Sequence, residues 1–219
     1  MKKKEKTSAQ LRQELFDRFP RLACCRTSFD EAFNTMLNCY RKGGKLLVAG
    51  NGGSAADSEH IVGELMKSFL FNRKIPDELE RNLVEYFGAE GAHLAGKLEG
   101  TLPAIPLTSM PALTSAFAND VDAAVSFAQM LSGYGCAGDV LLGISTSGNS
   151  KNILYALMVA KSKGIQTILL TGATDSRGRA LADHTISVPE TETFKIQELH
   201  LPIYHALCSM LEAELFQEK

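Results

Sequence analysis

The chain has 219 residues, 45% of them apolar, and its 23 Lys and Arg against 25 Asp and Glu leave a net charge of −2. That length suits one domain with a buried core, and the balanced charge speaks against nucleic acid as a partner. No apolar run is long enough to span a bilayer, and none follows the basic MKKKEK start, so neither a membrane span nor a secretory signal is expected and Lys2–Lys4 reads as a solvated tail.

Residues 8–42 carry Phe29, Phe33, Met36, Leu37 and Tyr40 at helical spacing, and Gly43-Gly44 ends the run. The five cysteines, without a CxxC, read as reduced thiols of a cytoplasmic protein. Among them, Cys24 and Cys25 are expected as buried thiols, because a bridge between neighbours would be strained. KLLVAG (45–50) is a short apolar strand, and a helix is expected from Ser54, which can serve as its N-cap. Residues 72–100 are charged, begin near Pro76 and contain DELERNLVEYF, which reads as a helical insertion before the second strand. LPAIPLT (102–108) carries two prolines and suits a strand near a sheet edge. Helices over 111–119 and 122–133 follow. DVLLGIS (139–145) and QTILLTG (166–172) are strands joined by a helix over 150–163. A short helix near 176–182 leads to a last strand, HTISVP (184–189). The segment 193–217 is a long helix, apolar on most faces, with Pro202 expected to kink it. Such a helix is commonly buried, often between subunits. Strands alternating with helices predict an α/β, three-layer αβα sandwich around a mostly parallel, doubly wound sheet.

Two loops at strand carboxyl ends hold the chemistry, where such sheets bind ligands. In STSGNS (145–150), the hydroxyls of Ser145, Thr146, Ser147 and Ser150 gather at a helix start. That start offers unpaired N–H groups and the positive end of a dipole, which suits a phosphate monoester. An ordinary serine-rich turn would also carry one such hydroxyl, but four in six residues favour the phosphate. The other loop, GNGGSA (50–55), fits the glycine pattern of dinucleotide folds. The acid that pattern needs about 20 residues later is missing, so no nucleotide cofactor is expected and the turn is left to hold an anion or a sugar hydroxyl. Behind it, His60 and Glu64 share one helical face. On the last helix Gln197, His200 and His205 interrupt the apolar pattern. Gln197 and His205 are about 12 Å apart along a straight helix.

GNGGSAADSEH (50–60), AND (118–120), GDVLLGISTSGNS (138–150) and IQELH (196–200) resemble the sugar isomerase (SIS) family and, within it, the bacterial phosphoheptose isomerases. The resemblance covers about residues 8–70 and 101–217. It implies isomerisation of sedoheptulose 7-phosphate to D-glycero-D-manno-heptose 7-phosphate through an enediol. It also implies substrate contacts from Asn51, Gly52, Gly53, Ser54, Asn119, Asp120 and Gln197, with Ser145, Thr146, Ser147 and Ser150 as the phosphate cradle. Glu64 and His205 match the acid–base pair, Glu64 as base. His60, Glu64, Gln197 and His205 match positions that bind zinc in some members, one ion per subunit. A metal-free hydrogen-bonded site is equally open, because glutamine is an uncommon ligand. The family implies a homotetramer with sites at subunit interfaces.

The chain departs from the family pattern in three places. Ser68 stands where the isomerases carry an arginine, Phe194 where they carry an aspartate, and the 72–100 insertion is its own. These bear on the sugar, not on the fold. Two other functions compete. One is a non-enzymatic SIS module of the replication-initiator-associating type, which lacks the acid after the histidine and the second histidine. The other is an isomerase of another sugar phosphate.

Overall fold

The computed structural model describes residues 6–217; the Lys2–Lys4 tail lies outside them. Five strands form one parallel sheet: β1 (Leu46–Gly50), β2 (Ala104–Pro106), β3 (Val140–Ile144), β4 (Gln166–Thr171) and β5 (His184–Ser187). Their order is β2-β1-β3-β4-β5, so the chain leaves β1 toward one edge and returns on its other side at β3. The switch point therefore falls between β1 and β3, whose carboxyl ends open into the two loops singled out above. β2 is one of the two edge strands, as its prolines require.

The central strands are buried on both faces, which explains their unbroken apolar runs. Alternate residues serve different layers. Val48, Val140, Leu142, Ile168 and Leu170 face a core built with α1 (Ser8–Arg18), α2 (Arg26–Arg41), α3 (Gly53–Met66) and α9 (Thr193–Phe216). Leu47, Ala49, Leu141 and Leu169 face a second core built with α6 (Ser126–Tyr134) and α7 (Lys151–Ser162). The expected αβα sandwich is the observed architecture.

Several boundaries differ from those expected. The 8–42 run is two helices, because Pro20 opens a 3-10 turn, Pro20–Cys25, between α1 and α2. α3 is capped by Gly52 at φ 56°, not by Ser54, which lies buried inside the first turn and accepts the Ser58 hydroxyl at its carbonyl, 2.8 Å away. The insertion forms α4 (Asp77–Ala95), broken at Gly88, where φ is 55°. α5 (Pro111–Asp120) buries none of its residues, and the short α8 (Arg177–Leu181) precedes β5. α9 runs through Pro202 without interruption, and fourteen of its residues are buried. Cys24 is exposed, contrary to expectation, and Cys25 buried; both are free thiols. No described helix is long and apolar enough to cross a membrane.

Candidate active site

β1 ends at Gly50, whose lack of a side chain lets the backbone fold onto Ser54; a Cβ there would lie 2.3 Å from the Ser54 carbonyl oxygen. The turn aims α3 out of the sheet alongside α9. The two helices run in the same direction at matched rise, so residues seven or eight apart on each meet in turn. Gln197 lies over Gly53, where a Cβ would meet its amide nitrogen at 2.6 Å. Two turns further on, His60 meets Tyr204 and His205.

There the side chains form a connected cluster. His60 Nε2 stands 3.2 Å from Glu64 Oε1 and 3.4 Å from His205 Nε2. Lys67 Nζ donates to Glu64 Oε2 at 3.0 Å. The Tyr204 hydroxyl donates to Asp57 Oδ1 at 3.1 Å and lies 3.1 Å from His60 Nδ1. Burial raises the Asp57 pKa, partly offset by the Tyr204 hydrogen bond and the nearby His60. Burial, with Asp57 beside it, also pushes the Tyr204 phenol well above its ordinary range. His205 is pulled below the ordinary histidine value, first by burial and then by the neighbouring His60, so its neutral form is favoured. Tyr204 was not singled out in the sequence, and Asp57, one of the charged residues after the glycine loop, was given no role. Asp57 shares the His60 face at i, i+3, a usable signal; Tyr204 sits among apolar neighbours and gave none.

The predicted metal ligands come together only in part. His60, Glu64 and His205 meet, while Gln197 stays two turns away over Gly53. A Tyr204 that donates to Asp57 accepts from His60 Nδ1–H, so His60 Nε2 presents a lone pair to Glu64. Two acceptors 3.2 Å apart call for a proton or a cation between them. The donor types suit zinc, yet among the described residues no group of three or more His, Cys, Asp or Glu is arranged to hold an ion as it stands.

The hydroxyl loop lies across the switch point. Gly148 takes φ 62°, and a Cβ there would sit 2.1 Å from the Ser176 hydroxyl. Ser145 is buried, its Oγ 3.0 Å from that of Ser150, which caps α7 without a side-chain bond to the helix. Thr146 and Ser147 line a cleft of about 150 Å³ with Asn149, Thr174, Thr191 and Thr193. Asn51 and Asn152 exchange amide hydrogen bonds of 3.0 and 2.8 Å, tying the glycine turn to the first turn of α7. Asn152 is a further residue missed in the sequence, although its place just past STSGNS could have marked it. Asn119 and Asp120 are exposed at the end of α5 and bonded to each other at 2.7 Å. The adjacent Asp122 reaches Lys151 at 3.5 Å, which sets this corner beside the cradle.

SIS-domain models match residues 110–213 and 22–99. The phosphoheptose isomerase of Aneurinibacillus thermoaerophilus is 38% identical over 84% of this chain and 79% of its own length. Phosphoheptose isomerase 2 of Campylobacter jejuni is 39% identical over 83% and 77%. The solved phosphoheptose isomerase of Neisseria gonorrhoeae superposes with a TM-score of 0.69 at 30% identity, covering 94% of this chain and 93% of that one.

Proposed function

Because the chain belongs to the SIS-domain family of phosphoheptose isomerases, we propose that this site interconverts sedoheptulose 7-phosphate and D-glycero-D-manno-heptose 7-phosphate through an enediol. It is an aldose–ketose isomerase, like the relatives it matches. The observation that carries the reading is the meeting of His205 on α9 with His60 on α3, 145 residues away in sequence, and through His60 with Glu64, across the switch point from a hydroxyl cradle.

The phosphate docks on Thr146, Ser147, Ser150 and the free amides at the start of α7. The sugar chain crosses the Asn51–Asn152 bridge toward Glu64, with Gly52, Gly53, Asn119, Asp120 and Gln197 along its path. The Glu64 carboxylate takes a proton from C1 as His205 gives one to the C2 oxygen, leaving an enediol. Glu64 then returns its proton to C2 while His205 recovers one from the C1 hydroxyl, and the aldose results. A neutral imidazole suits this exchange, since it can give its ring proton to the C2 oxygen and recover one from the C1 hydroxyl. Zinc on His60, Glu64 and His205, one per subunit, with Gln197 as a fourth ligand only if it leaves its place over Gly53, is part of the proposal: when bound it would polarise the carbonyl. Its support is the facing pair of acceptors on His60 and Glu64. One zinc per subunit in protein purified without chelator supports it, and metal-free active protein overturns it.

Incubation with sedoheptulose 7-phosphate, followed by NMR, tests the reaction. Aldoheptose phosphate is the expected product. A panel of pentose, hexose and amino-sugar phosphates run alongside should show slower turnover; faster turnover of any of these would reassign the substrate. Glu64→Gln should lower kcat by about 10²-fold or more, and wild-type turnover in that variant would remove Glu64 from the role of base. We further infer a cytoplasmic homotetramer with sites completed at subunit interfaces. A groove of about 660 Å³ supports it, lined by Leu15, Phe19, Phe69, Leu201 and Pro202 and reaching His205.

A further inference from the structure

Behind the acid–base cluster lies an ion pair that the reaction scheme does not use. Arg73 and Glu212 are both fully buried, their side chains at 0% exposure, with Arg73 Nε 2.6 Å from Glu212 Oε1. A buried pair of this kind costs a large desolvation and contributes little net stability unless its remaining hydrogen bonds are met. Here they are met in one pattern. Arg73 Nη1 donates to the Leu65 carbonyl at 2.6 Å and Nη2 to the Glu64 carbonyl at 2.9 Å. These belong to the last four carbonyls of α3, which have no partners within the helix, and a cation is favoured at that end of the dipole. Glu212 accepts the N–H groups of Phe69, Leu70 and Phe71 at 2.8, 2.7 and 3.2 Å. One carboxylate thus folds the loop that follows α3, and that loop holds the Phe69 ring 5.7 Å from the ring of His205.

The insertion is anchored at the same point. Glu99 accepts from Ser68 N at 2.7 Å, Gly100 N donates to the Arg73 carbonyl at 3.0 Å, and the Ser68 hydroxyl accepts from Arg73 N at 3.0 Å. Ser68, where the family resemblance leads one to expect an arginine, is therefore part of this brace. Arg73 has no exposed surface with which to take over a substrate contact.

We propose that the Arg73–Glu212 pair is a positioning device for the isomerisation. Through the α3 carbonyls it sets the place of Glu64, and through Phe69 it sets the face of His205. The inference rests on Glu64 and His205 being the acid–base pair. Displacement of a reacting group by even an ångström can cost about 10²-fold, and loss of a side chain that orients a functional one costs about 10- to 100-fold.

The test uses Arg73→Lys, Glu212→Gln and Phe69→Leu, with Asp139→Asn as a control. Asp139 pairs with Lys45 at 2.7 Å at the amino ends of the strands, the far end of the sheet from the site. Expected are a kcat at least about tenfold lower per folded subunit, a KM little changed, and a larger primary isotope effect with substrate deuterated at C1. Asp139→Asn should lower the melting temperature without moving kcat or the isotope effect. Wild-type kcat and isotope effect in folded Arg73→Lys and Glu212→Gln would overturn the proposal. Should those two fail to fold, Phe69→Leu, which leaves the ion pair intact, decides: a lowered kcat supports positioning through the loop, and an unchanged kcat overturns it. Wild-type protein inactive on every sugar phosphate would instead overturn the acid–base reading, and this inference with it.

Discussion

Tyr204 ties His60 to Asp57, because its one hydroxyl touches both. Tyr204→Phe removes that link and leaves the half-buried Asp57 without its donor. The fold should survive, since the ring remains in its apolar setting, while kcat falls by about tenfold. A variant as active as wild type would show that His60 needs no such orientation. His200, one turn before Tyr204, has a different consequence. Both its ring nitrogens are buried without a hydrogen-bond partner among the described residues. Burial lowers its pKa to about 4. Above pH 6.5 the ring is neutral whether the chain is folded or not, and nothing is lost. Between about 6.5 and 4 the unfolded chain takes up a proton that the folded one refuses, so stability falls by on the order of 3 kcal/mol. Asp139 is buried and Asp183 exposed; partial desolvation raises the pKa of each, but their hydrogen bonds, from Lys45 and Cys136 and from Thr167 respectively, outweigh it and lower both values. Their contribution is lost at lower pH than the histidine window. Melting curves of wild type and His200→Leu across pH 4–7 check this: the variant should show a flatter acid slope, and equal slopes would dismiss His200 as the source.

At the scale of elements, the β3–α7 turn concentrates the most constraint in the fewest atoms. Gly148 is held in left-handed backbone, with the Ser176 hydroxyl against its Cα and its carbonyl accepting from Gly178 N at 3.0 Å. Gly148→Ala should cost about 1–3 kcal/mol of stability and open the cradle. The kinetic effect should fall chiefly on KM for the sugar phosphate, with inorganic phosphate losing its competitive inhibition in parallel. A raised KM with undiminished inhibition by phosphate would place phosphate binding elsewhere. This turn was legible in the sequence because strand, glycine and hydroxyls are contiguous there. The central strands β1, β3 and β4 were legible for a related reason: a parallel sheet covered on both faces demands apolar runs such as LLVAG and VLLGI. Helix ends were less so. Pro20 was hidden inside a periodic pattern, and the glycine cap of α3 looked like a serine cap because the two residues are neighbours. The partnership of Tyr204 with Asp57 could not be read at all, since it arises only when α9 packs beside α3, 147 residues apart.

For the whole molecule, the decisive fact is that the site is open on one side. His205 lies both in the cluster with His60 and on the wall of the groove between α1, α9 and the loop 69–71. Leu70 and Leu201 on that wall are 54% and 41% exposed, and α5, which carries Asn119 and Asp120, buries nothing of its own. An enediol exposed to water is prone to side reactions, so a site of this kind needs a cover. Apolar exposure of this sort marks an interaction surface, and a second copy of the chain is the cover consistent with a symmetric assembly. Leu201→Glu places a charge in the groove while its backbone stays within the continuous α9. Light scattering should then show smaller particles than wild type, and activity per subunit should fall in step with dissociation as the protein is diluted. A variant that dissociates yet keeps full turnover would mean that each subunit closes its own site, and the groove would then have no part in the chemistry.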